Sequence, residues 1–274
     1  MNKKKKNYKN TLILIITILC TISFTISFIN VINWNINKNK INKEINEINK
    51  ITDIKETKDN NNTEIIIQEK QIENTDPYWN YIKMNLIDVD FNNLIQKNND
   101  TKGWIKLNGT NINYPFVQTN DNKYYLTHSF DKSYNKAGWV FLDYRNNINT
   151  LDKNTILYAH GRTDSTMFGT LRTIFKSNWF DDKNNYAIKL STEKENTLWQ
   201  VFSVYIIPTT NDYIQTNFNS EDEFLDWSNK LLNRSSYNFN TSINKNDKIL
   251  TLSTCYNEKK KVVMHAKLIK KEAR

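Results

Sequence analysis

Apolar and polar positions divide the chain into three regimes. Thr11 to Ile29 reads TLILIITILCTISFTISFI. That is an uncharged run of about 19 residues, close to the ~20 a helix needs to cross a bilayer. Beyond residue 35 and up to about 75 the chain turns polar, with Ile41, Ile45, Ile48 and Ile51 recurring at helical spacing among Asn, Lys and Glu. The spacing predicts a short amphipathic stalk helix acting as a solvated spacer, with a break at Asp59 to Asn62. From Gly103 onward, short runs rich in β-branched and aromatic residues alternate with Asn, Asp and Gly clusters. They predict strands at 103–107, 112–117, 138–142, 154–159, 186–190, 198–207, 247–253 and 261–269. Roughly eight strands at this spacing suggest a closed or nearly closed β-barrel, a mainly β fold.

Helical signals flank and interrupt this pattern. Asp76-Pro77 reads as a helix opening, with Asp as cap and Pro in the first turn. Tyr78, Tyr81 and Ile82 then form an apolar face. A second short helix is expected from Asp90, with Phe91, Leu94 and Ile95 inward. Late in the chain, Ser220 followed by Glu223 is a capping-box pattern. Phe224, Leu225, Ser228, Leu231 and Leu232 continue it as one face, so a helix falls between the 198–207 strand and the final strand pair. Such an insertion commonly walls a groove.

Charge fixes the topology. The formal net charge is +9 over 274 residues, and Lys3, Lys4, Lys5, Lys6 and Lys9 precede the apolar run. The positive-inside rule keeps residues 1–10 in the cytoplasm and sends the bulk outside. The run is followed by Asn30, Val31, Ile32, Asn33 and Trp34. No small-residue cleavage site is among them, so residues 11–32 read as an uncleaved signal-anchor. Residues 33–75 are then a stalk and 76–274 an extracellular domain. The remaining basic charge is dispersed, densest at Lys259, Lys260 and Lys261. No nucleic-acid motif accompanies it, and a solvated basic surface facing an acidic envelope accounts for it.

Two cysteines occur, Cys20 in the apolar run and Cys255 near the C-terminus. Their positions argue against a disulfide and leave Cys255 as a single extracytoplasmic thiol. It follows the apolar run Ile249 to Thr254 and precedes a polar loop, the mouth of a buried strand. A thiol there is either a nucleophile favoured by the neighbouring lysines or an inert core cysteine. His160 ends the strand 155–159 and is the natural proton-transfer partner. Its rivals are His128, expected to be solvated in a polar loop, and His265, expected to pack within the last strand. No C-x-x-C or H-x-x-x-H spacing and no glycine-rich phosphate loop occur, so no metal or cofactor is expected.

These motifs together resemble a known family. Thr251-Leu252-Ser253-Thr254-Cys255 is similar to the nucleophile strand of sortases. Tyr158-Ala159-His160-Gly161 with Thr166-Met167-Phe168-Gly169-Thr170-Leu171 resembles the histidine loop of class B sortases. Gly138 to Asn146 (GWVFLDYRN), Gly103-Trp104-Ile105, Gly109 to Pro115, and Tyr124, Tyr125, Leu126 and His128 match in order. The resemblance runs from about 86 to 269. It implies an eight-stranded sortase barrel with N-terminal helices and a helix between the sixth and seventh strands. It further implies that the Cys255 thiolate attacks a Thr–X bond in a C-terminal sorting signal, of Asn-Pro-x-Thr type, and forms a thioacyl-enzyme. His160 would move the protons. The partners implied are sorting-signal-bearing surface proteins and an amine from a cell-wall precursor or pilin, with no nucleic acid. The implied groove residues are Asn122 and Leu126 on one side, Thr209, Tyr213 and Ile214 on the other, and Ser253 beneath the sulfur.

One departure stands out. The family places an arginine on the strand after the cysteine, aimed at the oxyanion. Here Lys259-Lys260-Lys261-Val262-Val263 occupies that stretch, and aligning the valines puts Lys261 at the arginine position. A lysine supplies charge and donors without the planar fork; Arg162, beside the histidine, is the alternative. Two other functions compete with transpeptidation: a cysteine peptidase that releases product to water, and a catalytically silent surface-binding module.

Overall fold

The computed structural model describes residues 2–66, 78–176 and 178–274, with side chains from Tyr8 onward. They fall into two compact units, Met1–Lys43 and Glu44–Arg274. The first is helical, the N-terminal part of α1 (Asn2–Ile51). Its apolar residues from Leu12 to Ile36 are exposed, and this is a helix long and apolar enough to cross a membrane.

The second unit opens with two short strands, β1 (Ile54–Thr57) and β2 (Thr63–Ile65), inside the stretch expected to be a solvated spacer. The short runs Ile54–Thr57 and Thr63–Ile65 lack an apolar alternation of their own; backbone pairing to the domain sets them. β1 pairs with β3 (Leu86–Val89). The β1–β2 link is anchored by Lys270, whose buried ammonium meets Asp59 and the carbonyls of Ile82 and Met84, each at 2.7 Å. α2 (Tyr78–Tyr81) follows, with both tyrosines buried; the Asp76-Pro77 opening lies outside the described residues. α3 (Asn92–Lys97) buries Leu94.

Eight strands then close the barrel: β4 (Thr101–Leu107), β5 (Asn113–Val117), β6 (Phe141–Leu142), β7 (Asn154–Tyr158), β8 (Ala187–Ser191), β9 (Glu195–Pro208), β10 (Ile249–Cys255) and β11 (Lys260–Ala273). Their order is β10-β7-β6-β5-β4-β8-β9-β11, with β11 pairing back to β10, and β2 adds to the outer part of β11. Closure removes the free edges that an open sheet would leave. The core is apolar and aromatic, with Trp104, Phe116, Trp139, Trp199 and Phe202 fully buried. The stretch 138–142 contributes only Phe141–Leu142 as strand, and Gly138 at its start adopts φ +61°. Between β7 and β8 the described residues include four 3-10 turns, Gly169–Arg172, Ile174–Lys176, Asn178–Asp181 and Lys183–Tyr186, which apolar periodicity does not signal.

α4 (Glu221–Asn233) lies between β9 and β10, the sixth and seventh barrel strands. Ser220 caps it by accepting from the Glu223 backbone N–H at 3.1 Å, a contact worth about 1 kcal/mol. Phe224, Trp227 and Leu231 pack against Phe202, Tyr205, Tyr213, Ile249 and Val263 of the barrel side. That packing fixes the 209–218 loop, which leads into the helix over one end of the barrel.

Candidate active site

β10 and β7 run parallel, and Ser253 stands opposite Tyr158. Two residues further along each chain come Cys255 and His160, so the register alone carries both to the same rim. The Thr254 hydroxyl donates to the Ala159 carbonyl at 2.7 Å and ties the two chain ends together. Gly161 lies against the carbonyl oxygen of Cys255, where any Cβ would collide with backbone. Residues 249–254 are buried and Cys255 is exposed, a thiol held rigidly by its strand yet open to solvent.

The imidazole is oriented by backbone. Nε2 of His160 lies 2.8 Å from the carbonyl oxygen of Leu126. A carbonyl only accepts, so Nε2 carries the hydrogen and the neutral ring presents Nδ1 as the proton acceptor. Leu126 ends the 3-10 turn Tyr124–Leu126. The Asp121 carboxylate shapes that turn by accepting from the backbone of Lys123 and Tyr124 at 2.7 and 2.8 Å. Gly138 completes the cradle: a Cβ there would press on the carbonyls of Tyr125 and Leu126 and on the His160 ring.

The two other histidines have different work. His128 is not solvated as its polar loop suggested. It is half-buried, stacked on Tyr124 at 4.0 Å, with Nδ1 2.8 Å from the Tyr124 carbonyl; the neighbouring tyrosine supplies the cover that residue polarity hides. His265 packs as expected, fully buried between the Tyr205 hydroxyl at 2.8 Å and the Thr251 hydroxyl at 2.9 Å. Burial, with Arg234 nearby, pushes its imidazole down to about 3, so it stays neutral.

Lys261 pairs directly with Cys255 across the β10–β11 ladder, and its ammonium lies 2.9 Å from the sulfur. Arg162 does not compete for that place. Its guanidinium is bound to Asp164 at 2.6 Å and to the Thr166 hydroxyl at 2.9 Å, within its own loop.

Two of the expected groove residues, Asn122 and Ile214, are connected through a buried acid. Asn122 donates to Asp143 at 3.0 Å and accepts from the Tyr144 N–H at 3.0 Å. Asp143 also accepts from Arg145 through Nε and a terminal nitrogen at 2.9 and 2.7 Å, and from the Tyr158 hydroxyl at 3.0 Å. Arg145 reaches on to the Ile214 carbonyl at 3.0 Å, linking the 119–128 segment to the 209–218 segment. Burial would raise the Asp143 carboxyl, but the bonds from Arg145 and Tyr158 hold it below its ordinary value. The Tyr213 hydroxyl meets the Ser253 hydroxyl at 3.0 Å, both buried beneath the sulfur, and burial pushes the Tyr213 phenol up. Thr209 is exposed, its N–H bound to the Lys259 carbonyl at 3.0 Å. Ile214 and Leu126 are half-buried. Sequence reasoning missed the Asp143–Arg145 clamp. The four residues Asp143 to Asn146 matched as a motif, but an acid and a base two apart look like a solvated surface pair. Among the described residues no cluster of three or more His, Cys, Asp or Glu is placed to hold a metal.

Comparison with known proteins agrees with this geometry. The sortase domain model matches residues 105–269. Sortase B of Staphylococcus aureus (strain NCTC 8325 / PS 47) is 35% identical over 184 residues, covering 66% of this chain and 75% of that protein. The solved Staphylococcus aureus sortase B–substrate complex aligns with a TM-score of 0.61 at 35% identity, over 66% of this chain and 84% of that one. A sortase B structure complexed with triglycine aligns with a TM-score of 0.62 at 34% identity, over 66% and 85%. The match starts within β4 and runs into β11, taking in the barrel strands, the histidine loop and the nucleophile strand. The chain therefore belongs to the sortase family, in its class B.

Proposed function

We propose that this class B sortase is a membrane-anchored cysteine transpeptidase that joins sorting-signal-bearing surface proteins to an amine. The observation that carries the reading is the convergence of Cys255, His160 and Lys261 at one barrel rim. His160 takes the Cys255 thiol proton at Nδ1, and the resulting thiolate attacks the carbonyl carbon of the Thr–X bond. The developing oxyanion is met by Lys261. Collapse breaks the C–N bond as His160 gives its proton to the departing amine, leaving a thioacyl-enzyme. An incoming amine attacks the thioester, yields a proton to His160, and expels the thiolate. The sortase B complexes with substrate and with triglycine support the same two-substrate logic here, with a peptide donor and an amine acceptor from a cell-wall precursor or pilin.

Asn122, Leu126, Thr209, Tyr213, Ile214 and Ser253 form the donor groove in this reading. The basic residues 1–10 lie in the cytoplasm, 11–32 span the membrane, 33–75 lead outward and 76–274 hold the catalytic apparatus; the exposed apolar face of α1 supports the anchor.

A peptide-library cleavage assay on the full chain in detergent micelles, with and without an amine, tests this. The expected result is cleavage after Thr in an Asn-Pro-x-Thr-type peptide and a ligated product when amine is present. Products that ignore the amine would indicate a peptidase. Failure of a sorting-peptide chloromethyl ketone to label Cys255 in folded protein would indicate a silent binding module.

A further inference from the structure

A cavity lies beside the residue that follows the nucleophile. It holds about 190 Å³ and is lined by Arg162, Thr163, Gly169, Arg172, Thr173, Lys176 and Tyr256. Tyr256 follows Cys255 directly, and Arg162 stands two residues past His160. None of the donor-groove residues is in this lining. Three of its seven residues are cationic and none is acidic. The Arg162 charge is matched by Asp164 behind it, at 2.6 Å. Arg172 is differently placed. One terminal nitrogen donates to the Gly161 carbonyl at 2.7 Å, which holds the side chain against the histidine loop. Its Nε is buried from solvent and has no hydrogen-bond partner. A buried guanidinium N–H without an acceptor costs stability that the fold must offset elsewhere. An anion seated against the guanidinium would supply acceptors to this group. Lys176 adds an exposed ammonium at the mouth.

The cavity is smaller than the ~300–1,000 Å³ of pockets for drug-sized ligands, so it suits one ionic group of a larger molecule. Planar guanidinium donors beside a lysine select carboxylate or phosphate oxygens. We propose that the Arg162–Arg172–Lys176 pocket binds an anionic group, carboxylate or phosphate, carried by the amine acceptor. The inference rests on the transpeptidase reading, in which the donor peptide fills the groove between the 119–128 and 209–218 walls. The acceptor then approaches by this pocket, which shares no lining residue with the donor groove and includes Tyr256 beside Cys255, and its charge fixes the amine near the thioester.

The test uses the full chain in detergent micelles and three triglycine acceptors, ending in a carboxamide, a carboxylate or an aminoethyl phosphate. Binding is measured by calorimetry, and the acceptor KM is measured on the thioacyl-enzyme. The expected result is at least tenfold tighter binding and lower KM for an anionic acceptor than for the carboxamide. The two anionic arms separate a carboxylate source from a phosphate source. Raising salt should shrink the preference, and Lys176→Glu and Arg172→Gln should each erase it. Equal binding of all three acceptors, or a preference unchanged in both variants, overturns the proposal. Thioacyl-enzyme formation with the donor peptide is scored separately by mass. Its absence, with anion binding intact, counts against the transpeptidase reading and leaves the pocket standing.

Discussion

The ammonium of Lys261 lies 2.9 Å from the sulfur of Cys255, in the position directly opposite it across the β10–β11 ladder. Strand register, not a flexible loop, therefore sets where this cation stands. In the proposed reaction the carbonyl carbon bonds to the sulfur, so its oxygen gains charge within reach of the same ammonium. Removing one oxyanion donor typically costs 10²–10³ in kcat, about 3–4 kcal/mol. Lys261→Ala is expected to lose turnover on that scale with the fold intact. Lys261→Arg, which restores charge with a planar fork, should retain most activity. Steady-state kinetics on a sorting peptide decide it, and full turnover in Lys261→Ala would remove the lysine from the mechanism.

The His160–Leu126 bond predicts a second effect. Because the Leu126 carbonyl holds Nε2, anything that pushes the 124–126 turn away should disturb the imidazole without touching it chemically. Gly138 adopts φ +61° and packs on that turn and on the ring. Gly138→Ala should lower kcat at least tenfold and cost about 1–3 kcal/mol of stability from the strained backbone. The loss should fall on kcat more than on the donor-peptide KM, because the imidazole is displaced while the peptide contacts stay in place. An unaltered kcat alongside the stability loss would mean that the glycine serves folding alone.

The clamp through Asp143 makes a third prediction. Arg145 both neutralises the buried Asp143 and holds the Ile214 carbonyl. Arg145→Ala leaves the carboxylate buried without its cation, a change that commonly costs about 3–5 kcal/mol. It also frees the 209–218 wall. The donor-peptide KM should rise several-fold, and the acceptor KM should not follow. The Asp143→Asn/Arg145→Ala double variant should recover part of the stability but not the donor KM. A donor KM unchanged in Arg145→Ala would show that the groove walls keep their spacing unaided.

How much of this the sequence disclosed depends on how local each signal is. The barrel strands are short runs of β-branched and aromatic residues bounded by Asn, Asp and Gly clusters, and the α4 cap is a four-residue pattern, so both were readable. Cys255 and His160 sit at ends of legible strands, and their meeting follows once β7 and β10 are neighbours. Lys261 was found by aligning two valines, and its register partner in the fold is the cysteine. What was hidden depends on distant partners. β1 and β2 pair with β3 and β11 without an apolar pattern of their own. His128 is covered by a tyrosine four residues back. The Arg172 pocket needs the 3-10 turns at 169–186, which no simple periodicity marks.

His265 gives a prediction about pH that is independent of catalysis. It is enclosed by Tyr205 and Thr251, with Phe202 stacked at 5.9 Å and Tyr213 at 6.5 Å. Arg234 is the neighbouring charge that opposes its protonation after burial itself. Its folded value of about 3 lies below the ordinary 6.5, so the unfolded chain binds this proton more readily than the native one. The stability that rests on a neutral imidazole is complete above about pH 6.5. It falls as the pH drops toward 3, by about 1.4 kcal/mol per unit. Between pH 7 and pH 5 the loss from this side chain is about 2 kcal/mol. Carboxylates add their own slope below pH 5, so the difference from a His265→Gln variant isolates the histidine. Glutamine preserves a donor and an acceptor for Tyr205 and Thr251 but does not titrate. Denaturant midpoints at the two pH values should converge for wild type and variant as the medium is acidified. Parallel curves would mean that the imidazole takes up its proton inside the fold, and that the Tyr205–His265–Thr251 chain opens to let it in.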